Sequence, residues 1–392
     1  MVDQFIESTT VGYGSRIGNS IKGIAAGIIL FLGAFGLLYF NEGRVDLSTI
    51  AKTATEINAR ATNIDPSLSG KLVFATDVLN SNEIIGDNLF LNPDKFIAVS
   101  RTVEMYSWQE KSESKSKTNT GGSETTDTTY TYVKDWIEGP QRSSDFKYPQ
   151  GHENPQKTLE SFLNKVQNAT IGVYQVDMSS VMLPVFTKVQ LNQQNITLTK
   201  DVTLANDSYI FISQDKESTF ANPKIGDLRV SYSVLYPEKT VTIFGKLNGD
   251  TVSPYFDEDN NQLYRIFSGT RDEAISTLHS EYTLMLWILR AVGLLMMWLG
   301  LTLLFDPISV LLSFLPIFGI LSRSTISVVA FLVSLVLTIV TIIVSMIIHS
   351  LIALVIALVV TVALIVFVIM KIKKRKQSSQ LTPPLPPTGT VS

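Results

Sequence analysis

The stretch IAAGIILFLGAFGLLYF, residues 24 to 40, carries no charge over 17 residues and then meets Asn41-Glu42-Gly43-Arg44. At about 1.5 Å of rise per residue such a run is about 25 Å long, close to the minimum for a bilayer-spanning helix; extension back through Gly23 and Ile21 completes the span. A removable export signal ends in small residues, whereas this run ends in Leu37, Leu38, Tyr39 and Phe40. It therefore reads as a permanent anchor, with NEGR as the joint to whatever follows.

Two further apolar regions lie at the other end of the 392-residue chain, and a long polar stretch separates them from the anchor. Overall 45 % of residues are apolar and the net charge is -3. There is no cysteine, which removes disulfides, thiolate metal sites and cysteine nucleophiles from consideration. The three histidines, His152, His279 and His349, are far apart and lack the spacing of a helical metal motif. No metal or cofactor is expected.

The run at 282–305 contains Arg290, and a charge at the centre of a lone span costs about 2.5 to 3.5 kcal/mol. Two readings stay open: Arg290 snorkels to the headgroups, or it pairs with a carboxylate at the same surface. Glu42 is the carboxylate expected there, because an outward first span and an inward second span place both at one face. From Ile326 to Met370 the chain is almost continuously apolar and long enough to cross twice, so it is expected to fold back at His349-Ser350 into spans 324–348 and 351–370. Between the second and third spans, Asp306-Pro307 resembles a helix N-cap followed by proline at its first position. Segment 306–323 is accordingly expected to lie along the cytoplasmic interface.

Orientation follows from lysine and arginine near the span ends. The last span runs into KIKKRK with its five basic residues, which marks that end as cytoplasmic. The expected layout is a cytoplasmic N-terminus at 1–20, helix 21–40, an outer domain at 41–281, the later spans, and a basic, proline-rich cytoplasmic tail at 371–392. KIKKRK is read as a topology determinant, and no nucleic-acid partner is expected. Gly23 and Gly27 form a small-xxx-small pattern, and Gly293 and Gly300 serve the second span similarly, for close helix packing.

Much of the polar block alternates with period two, as half-buried strands do. FIAVSRTVEMYSW, residues 96 to 108, places Ile97, Val99, Val103 and Met105 on one face. A partner strand lies in TTYTYVKDWIE, and KSESKSKTNTGGSETTD between them has no apolar side chain. A two-stranded arm over 96–138 with a mobile tip is expected. Asn154-Pro155 reads as the start of a helix through KTLESFLNKV. Strands are expected at IGVYQV, FTKVQL, SYIFI, DLRVSYSVLY and TVTIFGKL. RDEAISTLHSEY is helical in pattern and enters the second span without a breaker, so one continuous helix is expected there. The fold class is thus four membrane helices with a β-rich α+β domain between the first two.

No phosphate-cradling glycine loop, nucleophile elbow or metal-binding helix is present. A hydrolase would have to be assembled from distant residues, such as His152 with Glu153 or Asp227. NEGR, VEMYSWQE, YTYVKDW, GHENP, GDLRVSYS and LRAVG, in this order, resemble the LUMA family, also called the transmembrane protein forty-three family. This chain looks like a prokaryotic or divergent member. The resemblance implies four spans, a large loop between the first two, both termini cytosolic, self-association, and a role in organising membrane protein complexes. It implies no catalytic residue. Its recurring positions fall on Asn41, Glu42, Gly43 and Arg44, on Glu104, Tyr106, Trp108 and Trp136, and on Gly151, His152, Asn154, Pro155, Asp227, Arg229 and Arg290. The location it implies is the endoplasmic reticulum or nuclear envelope in a eukaryote; a cell inner membrane is expected in a prokaryote.

The leading expectation is a non-enzymatic scaffold that forms homo-oligomers and binds other membrane proteins. The alternative is a lipid or ligand sensor, or a transporter, using the outer domain and Arg290.

Overall fold

The computed structural model describes residues 3–312 except 120, 201 and 238, then residues 323–350 and isolated positions from 355 to 370. The chain divides into two compact units, Met1–Tyr13 with Val45–Leu284 and Gly14–Arg44 with Met285–Ser392. In chain order the elements are β1 (Asp3–Val11), α1 (Tyr13–Glu42), α2 (Leu47–Lys52), β2 (Thr55–Glu56), β3 (Leu72–Asn80), β4 (Ala98–Thr118) and β5 (Glu124–Ile137). They continue with β6 (Phe162–Lys165), β7 (Asn168–Ile171), β8 (Tyr174–Asp177), β9 (Thr187–Lys188), β10 (Val202–Asn206), β11 (Tyr209–Ile212) and β12 (Leu228–Leu235). Last come β13 (Thr240–Asn248), β14 (Thr251–Ser253), β15 (Tyr255–Phe256), β16 (Gln262–Leu263), β17 (Arg265–Ser268), α3 (Arg271–Leu312) and α4 (Arg323–His349).

The first unit is built on two sheets. In one the strand order is β1-β5-β4-β12-β11-β10, with β6 on β4 and β9 on β12. Period-two alternation on β4 sends Val99, Val103 and Met105 inward, where they meet Leu228, Val230 and Val234 of β12. Beyond Glu110 the strand is exposed and continues as an arm with β5. In the other sheet the pairings form a closed circuit, β3-β13-β14-β8-β7 and back to β3. Closure leaves fewer free edges and encloses a core that includes Val73, Ala75, Ile171, Val176, Ile243 and Val252. The opposite face of β3 and β13, with Phe74 and Phe244, is covered by α2 and by Ala274, Ile275 and Leu278 of α3. A capping box starts α3: the Glu273 carboxylate accepts from the Thr270 N–H at 2.7 Å.

Several expectations change. KTLESFLNKV is no helix; its end forms β6, because Phe162 to Lys165 find ladder partners along β4. IGVYQV is a hairpin, turning at Gly172 with φ +59°, where a Cβ would overlap the Ala59 carbonyl. The arm is three-stranded, and its strands run on to Thr118 and Glu124, where cross-strand hydroxyl pairs such as Ser116 with Thr126 replace apolar contacts. The third strand is β1, paired antiparallel with β5 from Asp3↔Tyr132 to Val11↔Glu124. Residues 3–11, expected in a cytoplasmic tail, share one sheet with strands of the block at 41–281. This backbone pairing is an interaction that counting charges near the span ends does not register.

The second unit contains apolar helices. Among the described residues three helices are long and apolar enough to cross a membrane, Tyr13–Lys52, Arg271–Leu311 and Thr325–His349. Asp306-Pro307 caps no helix: Pro307 lies inside α3, which runs on to Leu312. The remainder of segment 306–323, most of the expected span 351–370 and the tail 371–392 lie outside the described residues.

Because the chain has no cysteine, sidedness can be read with single introduced thiols. Ser8→Cys and Ser112→Cys are expected to react alike with a membrane-impermeant maleimide in sealed vesicles. Labelling from opposite sides would remove β1 from the arm.

Candidate functional site

Six of the singled-out residues converge on one edge of β4. β12 supplies ladder partners along β4 as far as Met105. Beyond it the backbone of Gly226 and Asp227 takes over: the Gly226 N–H donates to the Tyr106 carbonyl at 2.9 Å, and the Tyr106 N–H donates to the Asp227 carbonyl at 2.8 Å. At Trp108 a side chain does the same work. Asn154 Oδ1 accepts from the Trp108 N–H at 2.7 Å, and its Nδ2 donates to the Trp108 carbonyl at 2.9 Å. One amide thus imitates a strand and closes an edge that would otherwise be free to pair.

Glu104 faces Arg229 across the β4–β12 ladder and receives two bonds from its guanidinium, 2.7 and 3.0 Å long. Arg229 also lies 5.0 Å from the Trp136 ring centre and 4.7 Å from that of Tyr209. Tyr106 contacts Trp136 at 5.3 Å. Asp227 is buried, with Oδ1 accepting from the Gln214 N–H at 2.8 Å and Oδ2 from the Lys224 N–H at 2.7 Å. It holds a loop.

His152 is buried against aromatic rings, stacked 3.8 Å from Tyr132 and edge-on to Trp108 at 4.8 Å. Its Nδ1 is 2.9 Å from the Tyr148 carbonyl and its Nε2 3.4 Å from the Asp3 carboxylate. Glu153 accepts from the Gly151 N–H instead, at 3.0 Å. The hydrolase grouping of His152 with Glu153 or Asp227 has both carboxylates engaged by backbone amides, so neither is poised to orient the imidazole for proton transfer. Gly151 has φ +84°, the turn conformation that favours glycine, and Pro155 packs beside Gly226.

A buried cluster escaped the sequence reading. The Asp87 carboxylate accepts from the N–H groups of Leu89, Phe90 and Leu91, from Arg101 at 3.0 Å and from the Tyr232 hydroxyl. Burial pushes this carboxyl up, but the bonds from Tyr232, Leu89, Arg101 and Phe90 together hold it below the usual carboxylate value. Burial and the neighbouring Asp87 charge raise Tyr232 in turn. GDNLF offers no sequence signal for this beyond a lone aspartate before apolar residues.

In the helical unit Arg290 donates twice to Glu42, with both distances 2.8 Å; their side chains are 15 % and 3 % exposed. Trp287 lies 4.8 Å from the guanidinium. Asn41 is buried and donates to the Leu286 carbonyl at 3.1 Å. Arg44 is exposed and forms no ion pair among the described residues; its N–H donates to the Asn41 carbonyl at 3.3 Å. Gly43 has a reason of its own: a Cβ there would sit 2.4 Å from His349 Nε2. His349, read from sequence only as part of a turn, thus packs into the NEGR corner and also against Tyr39 at 4.5 Å.

Gly27 and Gly300 bring α1 and α3 together: Cβ atoms there would meet the Gly300 carbonyl at 3.0 Å and the Phe31 nitrogen at 2.7 Å. At Gly293 a Cβ would overlap Leu38, whereas at Gly23 it would reach Leu303 at an ordinary 3.7 Å. Among the described residues no group of three or more His, Asp or Glu side chains has the arrangement of a metal site.

The family model described as Transmembrane protein 43 matches residues 105–369. The human Transmembrane protein 43 is 26 % identical over 350 residues, covering 83 % of this chain and 84 % of the human one. The mouse protein is 26 % identical over 346 residues, covering 82 % and 83 %. The Transmembrane protein 43 homolog of Drosophila melanogaster is 26 % identical over 294 residues, covering 70 % and 74 %. No solved structure matches.

Arg290→Ala leaves Glu42 buried and unpaired, which is expected to destabilise the helical unit by about 3 to 5 kcal/mol, with Glu42→Leu/Arg290→Leu recovering most of it in thermal unfolding. Asn154→Ala strips Trp108 of both backbone partners and is expected to cost about 1 to 3 kcal/mol, measured by the same method on the intact chain. Asp87, depressed in the folded state, contributes stability in full above its unfolded value of about 3.9, and that contribution is lost as pH falls through the lower folded value. Acid unfolding monitored by circular dichroism is expected to lose part of its pH slope in Asp87→Asn.

Proposed function

The chain belongs to the Transmembrane protein 43 family, and from that premise we propose that it is a non-enzymatic, multi-pass membrane scaffold. It self-associates and organises membrane protein complexes, with the block at 41–281 outside the cytoplasm and the basic tail inside. One observation supports the reading. The Arg290 charge in the helical unit is held internally, by Glu42 and Trp287, while the outward faces of the helices present Ile29, Leu32, Phe40, Leu284, Val328 and Val336. A transporter or ligand sensor would have to break this two-bonded pair to use the charge, which is costly. A scaffold needs a fixed bundle with apolar faces on offer to lipid or to other helices.

The glycine contacts between α1 and α3 lie within one chain, so self-association uses the remaining helix faces and the arm. Native mass spectrometry from mild detergent is expected to show oligomers, and Gly27→Leu to disturb them by disrupting the bundle that presents those faces. A monomer with the same thermal stability in Gly27→Leu as in the wild type would remove the scaffold reading. Stoichiometric co-purification of a solute that disappears in Arg290→Lys would favour the sensor instead.

A further inference from the structure

The outer face of the first sheet carries a second feature that a scaffold does not require. Ladder register places Thr203 opposite Phe211, Phe211 opposite Arg229 and Arg229 opposite Glu104, so a row of four residues from four strands shares this face. The loop after β11 folds beside that row and is tightly held. Asp227 takes the Gln214 and Lys224 N–H groups, the Ser213 and Ser218 hydroxyls are 2.7 Å apart, and Lys224 pairs with Asp215 at 2.5 Å. The loop returns Phe220 to the sheet. Its ring lies near parallel to Trp136 and Tyr209, at interplanar angles of 24° and 28°, and edge-on to Phe211.

Between loop and sheet lies a cleft of about 490 Å³. That is within the range of about 300 to 1,000 Å³ found for small-molecule sites. Its apolar lining is aromatic, the half-buried Phe220 packed over a buried Phe211. Its polar lining is dominated by groups that both donate and accept, Thr203, Gln214 and Thr219 among them. Lys224 pairs with both Asp215 and Glu217, which draws the two carboxylates to itself, whereas Lys216 has no carboxylate partner among the described residues.

We propose that this cleft binds one pyranose ring of a glycan, with acidic sugars preferred. An aromatic face carries partial negative charge and attracts the C–H face of a sugar ring. The surrounding hydroxyls and amide match sugar hydroxyls, which also donate and accept. Lys216 supplies the counter-charge for a carboxylate. An extended peptide would be recognised through ladder bonds along β10, the last strand of the sheet, and would leave this lining unused.

The test is saturation-transfer difference NMR on the full chain in nanodiscs, free of sugar-based detergent. The probes are methyl β-glucoside, N-acetylglucosamine, glucuronic acid and tetra-alanine. At least one sugar is expected to receive saturation at its ring C–H protons, with glucuronic acid the strongest and Lys216→Ala abolishing that advantage. The signal is expected to fall to background in Phe220→Ala and in Gln214→Ala, and to persist in Phe162→Ala, an exposed aromatic elsewhere on the domain. Gln214→Ala keeps the backbone bond to Asp227, so it tests the cleft even where Phe220→Ala unfolds. Absence of transfer to every sugar, transfer that survives Gln214→Ala, or transfer to tetra-alanine alone overturns the proposal.

Discussion

The first unit depends on how a single long strand satisfies its backbone where it is buried. β4 has 21 residues, about 70 Å at the usual strand rise, and each of its two edges must be covered or left open to other chains. On one side β5 covers it from Met105 to Thr118. On the other, β12, the Gly226–Asp227 backbone and the Asn154 side chain succeed one another. The inward side chains of the same strand build a core, and the outward ones hold Glu104, Tyr106 and Trp108 in line. Residues that look like scattered family markers are therefore consequences of one requirement.

The helical unit answers a related problem in a medium without water. A guanidinium within an apolar helix is tolerable when its hydrogen bonds are completed inside the protein, and Glu42 completes two of them. The NEGR corner has a role for most of its letters. Asn41 binds a neighbouring helix carbonyl, Glu42 neutralises Arg290, and Gly43 leaves room for His349. Such an arrangement is costly to break from either side, which suits a fixed support better than a moving gate.

The apolar runs and the period-two pattern of 96 to 108 were legible because each reflects one local variable, hydropathy or alternation. The helix expected after Asn154-Pro155 was not. Proline and apolar spacing favoured it locally, but Phe162 to Lys165 gain ladder bonds on β4, which outweigh that preference. β3 was missed altogether, although it lies in the closed circuit, since KLVFATDVLN has apolar runs on both faces and no clean alternation. The site was half legible. Glu42 with Arg290 is suggested by the positions of the two apolar runs, which put both at one membrane surface, whereas Glu104 with Arg229 and Asp87 with Arg101 and Tyr232 join strands whose pairing no local pattern reveals.

By itself the sequence determined that this is a membrane protein with apolar helices near both ends and a cysteine-free, β-rich domain between them. Those properties follow from composition and short-range period, which chain order preserves. Only tertiary structure decided that the first residues join the arm, that Pro307 stays within its helix, and that His349 completes the corner at Gly43. Each is a choice between partners distant in sequence, set by which backbone or buried polar groups would otherwise go unsatisfied.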